Sequence, residues 1–159
     1  MIKKIHHAAY RCKNSEETRK FYEDFLELPL TDAFEITETK TGRKTSVLHS
    51  FYQMEDGSHI AFFEAPDQPF DFINQHDFDL HIALEVDHAV LVQMYDKGKD
   101  IGIETRGISD HGFISSAYFR DPNGYVVELA TKKLRQKNED KSANDSSAHK
   151  VLREWCERN

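Results

Sequence analysis

The chain has 159 residues, with 21 Lys+Arg against 28 Asp+Glu and a formal net charge of −7. That balance argues against a nucleic-acid or anionic-membrane surface, which needs a basic stripe. The content of 38% hydrophobic and 11% aromatic residues excludes wholesale disorder.

The length suits one domain, or two small halves fused around one core. No apolar run approaches the roughly 20 residues of a membrane span. The opening residues lack the apolar stretch of a signal peptide. Cys12 and Cys156, the 2 cysteines, make no disulfide framework. A cytoplasmic protein is therefore expected, with no membrane and no nucleic-acid partner.

In chain order, residues 2–12 read as a strand. Asn14 or Ser15 can cap a helix, with Glu16 and Glu17 near the positive end of its dipole. Phe21, Phe25 and Leu28 recur at helical spacing, and Pro29 ends that helix. The pattern assigns no element between Pro29 and Thr45. Residues 45–54 and 58–64 flank the turn Glu55-Asp56-Gly57 and read as a hairpin. Residues 65–77 read as a linker.

The pattern then restarts. Residues 79–86 read as a strand, and Asp87 can cap a helix with Val90, Leu91, Met94 and Tyr95 on its apolar face. Gly98 is the expected C-terminal stop. Residues 101–105 read as a short strand. Residues 115–120 and 125–131 form a second hairpin around Asp121-Pro122-Asn123-Gly124. Residues 135–147 are polar and serine-rich and read as a tether. Residues 149–158 then make a short helix, with Val151, Leu152, Trp155 and Cys156 on one face, expected to dock on the body or on a partner subunit.

Two copies of strand, helix and further strands emerge. The boundaries are 1–66 for the first module, 67–77 for the linker, 78–134 for the second module, 135–147 for the tether and 148–159 for the last helix. The repeat places His7 and His81 at matching points, each sharing a strand face with a small residue, Ala9 or Ala83. Glu128 lies four residues after Gly124, and Ala61 four after Gly57. A pseudo-two-fold would bring His7, His81 and Glu128 together. Two imidazoles and one carboxylate with open positions suit Fe(II), and also Mn(II) or Zn(II). Glu128 sits in an apolar run, where a metal would offset the cost of burying its charge.

The stretch Ile5-His6-His7-Ala8-Ala9-Tyr10, then Glu17 to Tyr22 and Leu26-Glu27-Leu28-Pro29, resembles the opening of the vicinal-oxygen-chelate superfamily. Tyr118-Phe119-Arg120-Asp121-Pro122-Asn123-Gly124 with Val127-Glu128-Leu129 resembles its closing motif. The family includes glyoxalase I, extradiol dioxygenases, fosfomycin-resistance thiol transferases, methylmalonyl-CoA epimerase and bleomycin-binding proteins. The resemblance covers residues 2–132. It implies an α+β fold of paired βαβββ modules, forming a half-open mixed β-barrel around a divalent metal, here followed by a C-terminal helix. It places the metal on His7, His81 and Glu128.

Where glyoxalase I and the epimerase carry a fourth ligand, this chain has Ala61. That leaves a coordination position open, as in the dioxygenases and fosfomycin enzymes. Glu64 is the alternative donor, although its odd spacing from Ala61 puts it on the other face. Tyr118 falls where extradiol enzymes carry a substrate-contacting tyrosine, and His111 in a loop that supplies an acid–base group. Both are expected to be catalytic. His59 shares the face of Ala61, and both are expected to line the pocket. His6 should point away from His7, and His49, His76, His88 and His149 read as surface residues.

The resemblance points to extradiol-dioxygenase-like oxidation of a catechol-type small molecule. Fe(II) is the favoured metal, with Mn, Zn or Ni as alternatives. A glyoxalase-type lyase or isomerase, a thiol transferase and a small-molecule-binding resistance protein are the rival readings. A homodimer is expected, because half-open barrels leave sheet edges and an apolar groove to be covered.

Overall fold

The computed structural model describes residues 1–110, 114–132 and 145–158. The first half runs β1 (His7–Arg11), α1 (Ser15–Arg19), β2 (Leu30–Glu38), β3 (Lys44–Gln53) and β4 (His59–Glu64). The second half runs β5 (His81–Glu85), α2 (His88–Asp100), β6 (Thr105–Asp110), β7 (Ile114–Arg120) and β8 (Val126–Lys132). A last helix, α3, spans Asp145–Cys156.

Each half makes one four-stranded sheet of the same topology, β1-β4-β3-β2 and β5-β8-β7-β6. In each, the first strand pairs parallel with the last, and the other pairs are antiparallel. The expected βαβββ repeat is thus present. The two sheets do not close into a barrel: β1 and β5 are both edge strands.

α1 starts where its caps are. The Asn14 side chain accepts the Glu17 amide at 2.9 Å, and Glu64 accepts the Ser15 amide at 2.6 Å. The helix continues as a π-helical turn, Lys20–Phe25, closed by Leu26 N–H to the Phe21 carbonyl. The wider turn buries Phe21, Tyr22 and Phe25, where straight helical spacing would select Phe21, Phe25 and Leu28.

This aromatic face lies between the two sheets. The Tyr22 ring packs on Phe62 of β4 at 4.7 Å, and Phe25 on Phe119 of β7 at 5.3 Å. The turn motif between β7 and β8 locks onto the same helix. Buried Asp121 accepts from the Tyr22 hydroxyl at 3.1 Å and from the Asn123 and Tyr125 amides at 2.8 Å each. Asn123 accepts the Lys13 amide at 2.8 Å and donates to Thr18. The closing motif is a structural knot tying the ends of the fold together.

Several expectations need correction. β1 is shorter than residues 2–12, and β2 occupies the unassigned stretch after Pro29. Gly98 does not stop α2. It is buried inside the helix, where an added Cβ would lie 2.8 Å from Thr105 Oγ1 and 2.9 Å from Phe119. The stop is Gly102, with φ of 78°. There Ile103 N–H bonds the Gly98 carbonyl and Gly102 N–H bonds that of Lys99, which is a Schellman cap. The strand expected at 101–105 therefore begins only at Thr105. α3 begins at Asp145, three residues inside the expected tether, of which residues 135–144 lie outside the described part. On its apolar face Val151, Leu152 and Trp155 are exposed.

Candidate metal centre

Register places the candidate side chains. On β5, His81 and Ala83 share a face, and Ala83 pairs with Glu128 on β8. Tyr118 on β7 pairs with Glu128 from the other side. His81 Nε2 lies 3.3 Å from Glu128 Oε2. Glu128 is 6% exposed, while the His81 side chain is 39% exposed.

The protonation of His81 follows from its other nitrogen. Nδ1 lies 2.6 Å from the Asp77 carbonyl oxygen, which can only accept, so Nδ1 carries the proton. In the neutral ring, Nε2 is then a bare lone pair aimed at a carboxylate oxygen. A proton on Nε2 would make this an imidazolium–carboxylate ion pair, and a divalent cation in its place would be held by the same two donors. This donor set fits a divalent metal.

Tyr118 lies beside the pair. Burial and the neighbouring Glu128 charge raise its phenol pKa. Arg106, opposite Tyr118 on β6, places its guanidinium 5.4 Å from the Tyr118 ring centre.

The first sheet repeats the register with other residues. Ala9 pairs with Ala61, and Phe51 flanks Ala61 where Tyr118 flanks Glu128. His7 pairs with His59, as His81 does with Val126. Around His7 stand Phe51 at 5.6 Å and His49 at 6.5 Å between ring centres. Phe34, 44% exposed, stacks on Phe51 at 6.0 Å. His59 is half-buried, with an unpaired Nδ1, and Ala61 is fully buried. Glu64 is turned to the start of α1.

Two histidines differ from the sequence reading. His6 does not point away: its Nδ1 lies 2.8 Å from His7 Nδ1. The strand begins at His7, so alternation does not govern residue 6. His49 is buried, stacks on Phe63 at 3.6 Å and donates from Nδ1 to the Phe62 carbonyl. Burial lowers its pKa. The pairing of Phe51 with Ala61 signals this, since His49 has the same parity on β3. His76, His88 and His149 are exposed as expected. His111 lies outside the described residues.

Among the described residues of one chain, no three His, Cys, Asp or Glu side chains converge on a single point. His81 and Glu128 meet on the second sheet, and His7 stands on the first. The edges β1 and β5 flank a cleft of about 980 Å³ lined by Ala8, Ile60, Ile82, Leu84 and Met94.

Several solved proteins share this architecture. The fosfomycin resistance protein FosX of Listeria monocytogenes, solved with Mn(II) and 1S,2S-dihydroxypropylphosphonic acid, is similar over 84% of this chain and 96% of its own, with 19% identity and a TM-score of 0.63. A glyoxalase/dioxygenase from Nostoc punctiforme is similar over 82% of this chain and 91% of its own, with 22% identity and a TM-score of 0.61. The model of the Glyoxalase/Bleomycin resistance protein/Dioxygenase superfamily matches residues 4–129. The chain belongs to that superfamily.

Proposed function

We propose that this protein is a divalent-metal-dependent enzyme that oxidises a catechol-type substrate in the manner of extradiol dioxygenases. His7, His81 and Glu128 would hold the metal, with Fe(II) favoured. His7 would come from one subunit of a homodimer, and His81 with Glu128 from the other. The observation that carries the reading is the His81–Glu128 pair, an imidazole nitrogen facing a buried carboxylate at 3.3 Å.

A metal so held would supply a template and an electron path for substrate and dioxygen. The chain's own residues do the rest. Ala61 presents no donor where Glu128 stands in the other sheet, which leaves room for two substrate oxygens. The Tyr118 hydroxyl orients one of them. His111 is assigned the proton transfer. Phe34 and Phe51 offer a stacked apolar shelf for a flat ring, and His59 closes its near end.

The homodimer reading rests on the two uncovered edges, the apolar cleft between them and the separation of His7 from its partners. A glyoxalase-type lyase or isomerase is the second reading, and Ala61 counts against it, because the position of the usual base is empty. The fosfomycin-type reading needs cations for a phosphonate. Arg106 and Arg120, beside the second-sheet site, are engaged by Asp77 and Glu104.

Metal analysis of anaerobically purified protein, followed by oxygen uptake over a catechol panel, tests the reading. One metal per chain is expected, lost in His81→Ala and Glu128→Ala. Full stoichiometry in both variants would overturn the metal site. Bound metal without oxygen uptake on any catechol would overturn the dioxygenase assignment alone.

A further inference from the structure

The segment before β5 is built more firmly than a linker requires. The His76 carbonyl accepts the amides of Asp79 at 2.9 Å and Leu80 at 3.2 Å, which closes a turn over residues 76–80. Just upstream, Gln75 N–H donates to the Gly124 carbonyl at 2.8 Å, and the Gln75 carbonyl accepts from Arg120 at 3.0 Å. The start of the turn is thus pinned to the β7–β8 hairpin. Inside the turn, Arg106 grips both oxygens of the Asp77 carboxylate, at 2.6 and 2.9 Å. The backbone carbonyl of that same Asp77 receives the His81 Nδ1 proton.

We propose that the Arg106–Asp77 ion pair is the positioning device of His81: by fixing the turn, it holds the Asp77 carbonyl on Nδ1 and keeps Nε2 free to ligate. The proposal rests on the metal reading above. An imidazole binds metal only through an unprotonated nitrogen, and the partner of the other nitrogen decides which one that is. In this chain the partner is a backbone carbonyl, which no side chain can replace. What orients it is the side-chain carboxylate of the same residue, held in a two-point fork by a guanidinium that also lies over the Tyr118 ring. Arg106 would therefore couple the two sides of the site, setting the ring of one ligand while packing on the tyrosine beside the other.

A purely structural role predicts something different. The pair is part-exposed, with side-chain exposures of 47% and 24%. Such a pair contributes little to global stability. Its loss should hardly move the melting temperature, yet it should change the state of one imidazole.

The test uses Arg106→Met, Asp77→Ala and Arg106→Lys in the full-length protein. The His81 tautomer is read in metal-free, ¹⁵N-labelled protein by long-range proton–nitrogen correlation. Mn(II) alone is the titrant for affinity. The neutral His81 ring of wild type is expected in the Nδ1–H form. Arg106→Met and Asp77→Ala are expected as tautomer mixtures, binding Mn(II) about 10–100-fold more weakly, with melting temperatures within about 2 °C of wild type. Arg106→Lys should recover part of both properties, as a point charge replaces the fork. A mixed tautomer in wild type would overturn the proposal. So would unchanged tautomer and affinity in both disruptive variants. If His81→Ala itself leaves Mn(II) binding intact, the metal reading falls, and the tautomer measurement still decides the role of Arg106 and Asp77.

Discussion

Ala61 and Glu128 occupy the same register position in the two sheets. Each pairs with an alanine on the parallel edge strand, Ala9 or Ala83, and with an aromatic residue on the antiparallel neighbour, Phe51 or Tyr118. One sheet uses the position for a carboxylate. The other closes it with a methyl group, fully buried.

Ala61→Glu tests what that methyl group leaves open. In the proposed site the new carboxylate reaches the metal and closes a position that dioxygen chemistry needs. Metal affinity should rise and oxygen uptake should fall. A carboxylate that misses the metal would instead cost several kcal/mol of stability, roughly the penalty of an unpaired buried charge. Wild-type stability, metal affinity and activity together would show that residue 61 does not face the site. Metal titration and thermal melts of the variant separate these outcomes.

Subunit mixing tests the shared site. His7→Ala and Glu128→Ala homodimers should each bind little metal. Unfolded together and refolded, they form heterodimers in which one site draws His7 from one chain and His81 with Glu128 from the other. About a quarter of wild-type metal capacity should return at statistical exchange, since half the dimers are mixed and each has one intact site. No recovery, with heterodimers confirmed by mass, would place all ligands in one chain.

The closing motif resembles a family signature, yet its conspicuous residues are structural. Asp121→Asn turns an amide toward neighbours that already donate, the Asn123 and Tyr125 amides or the Asn123 side chain. A loss of about 1–3 kcal/mol is expected from the mismatch. Burial pushes the Asp121 carboxyl above the usual carboxylate range. The folded state thus holds that proton more tightly than the unfolded chain, and stability falls as pH rises through the interval between the two values. The cost of charging Asp121 vanishes below that interval, whereas the asparagine has no such cost. Denaturation at neutral pH and about pH 4 should show the wild-type advantage widening on acidification. A gap independent of pH would contradict the assigned direction.

Gly98→Ala sets propensity against packing. In a helix interior alanine is favoured over glycine by about 1 kcal/mol. Here the added methyl meets Thr105 Oγ1 and the Phe119 ring at under 3.0 Å. Overpacking of that kind costs about 1–3 kcal/mol, so the variant should be less stable on chemical denaturation. A more stable variant would mean that β6 and β7 can yield.

Much of this was legible in the residues. The repeat of strand, helix and further strands follows from apolar periodicity and two turn signatures, the βαβββ count from the family resemblance, and the matching of His7 with His81 from strand alignment. The exceptions have physical causes. β2 is a mostly exposed edge strand, and an edge with solvent on both faces leaves little alternation to read. Gly98 sits near a helix end, where packing and termination select the same residue; Gly102, with positive φ, is the cap. His49 lies on a strand whose partner register, not its own neighbours, buries it. The Arg106–Asp77 fork joins residues 29 apart in sequence, and no local pattern marks it.

The knot at Asp121 also constrains the order in which the chain can acquire structure. The Tyr22 hydroxyl and its acceptor are 99 residues apart. During synthesis α1 emerges early, but its aromatic face has no second sheet to pack on, and its buried hydroxyl no partner, until the last hairpin is made. Contacts of such long range are slow to form and leave apolar surface exposed meanwhile. A fragment of residues 1–66 is accordingly expected to show strand and helix signals in far-ultraviolet circular dichroism, without the near-ultraviolet signature of fixed aromatic rings. The first half of the molecule waits on the second, and the two halves gain their native packing as one event.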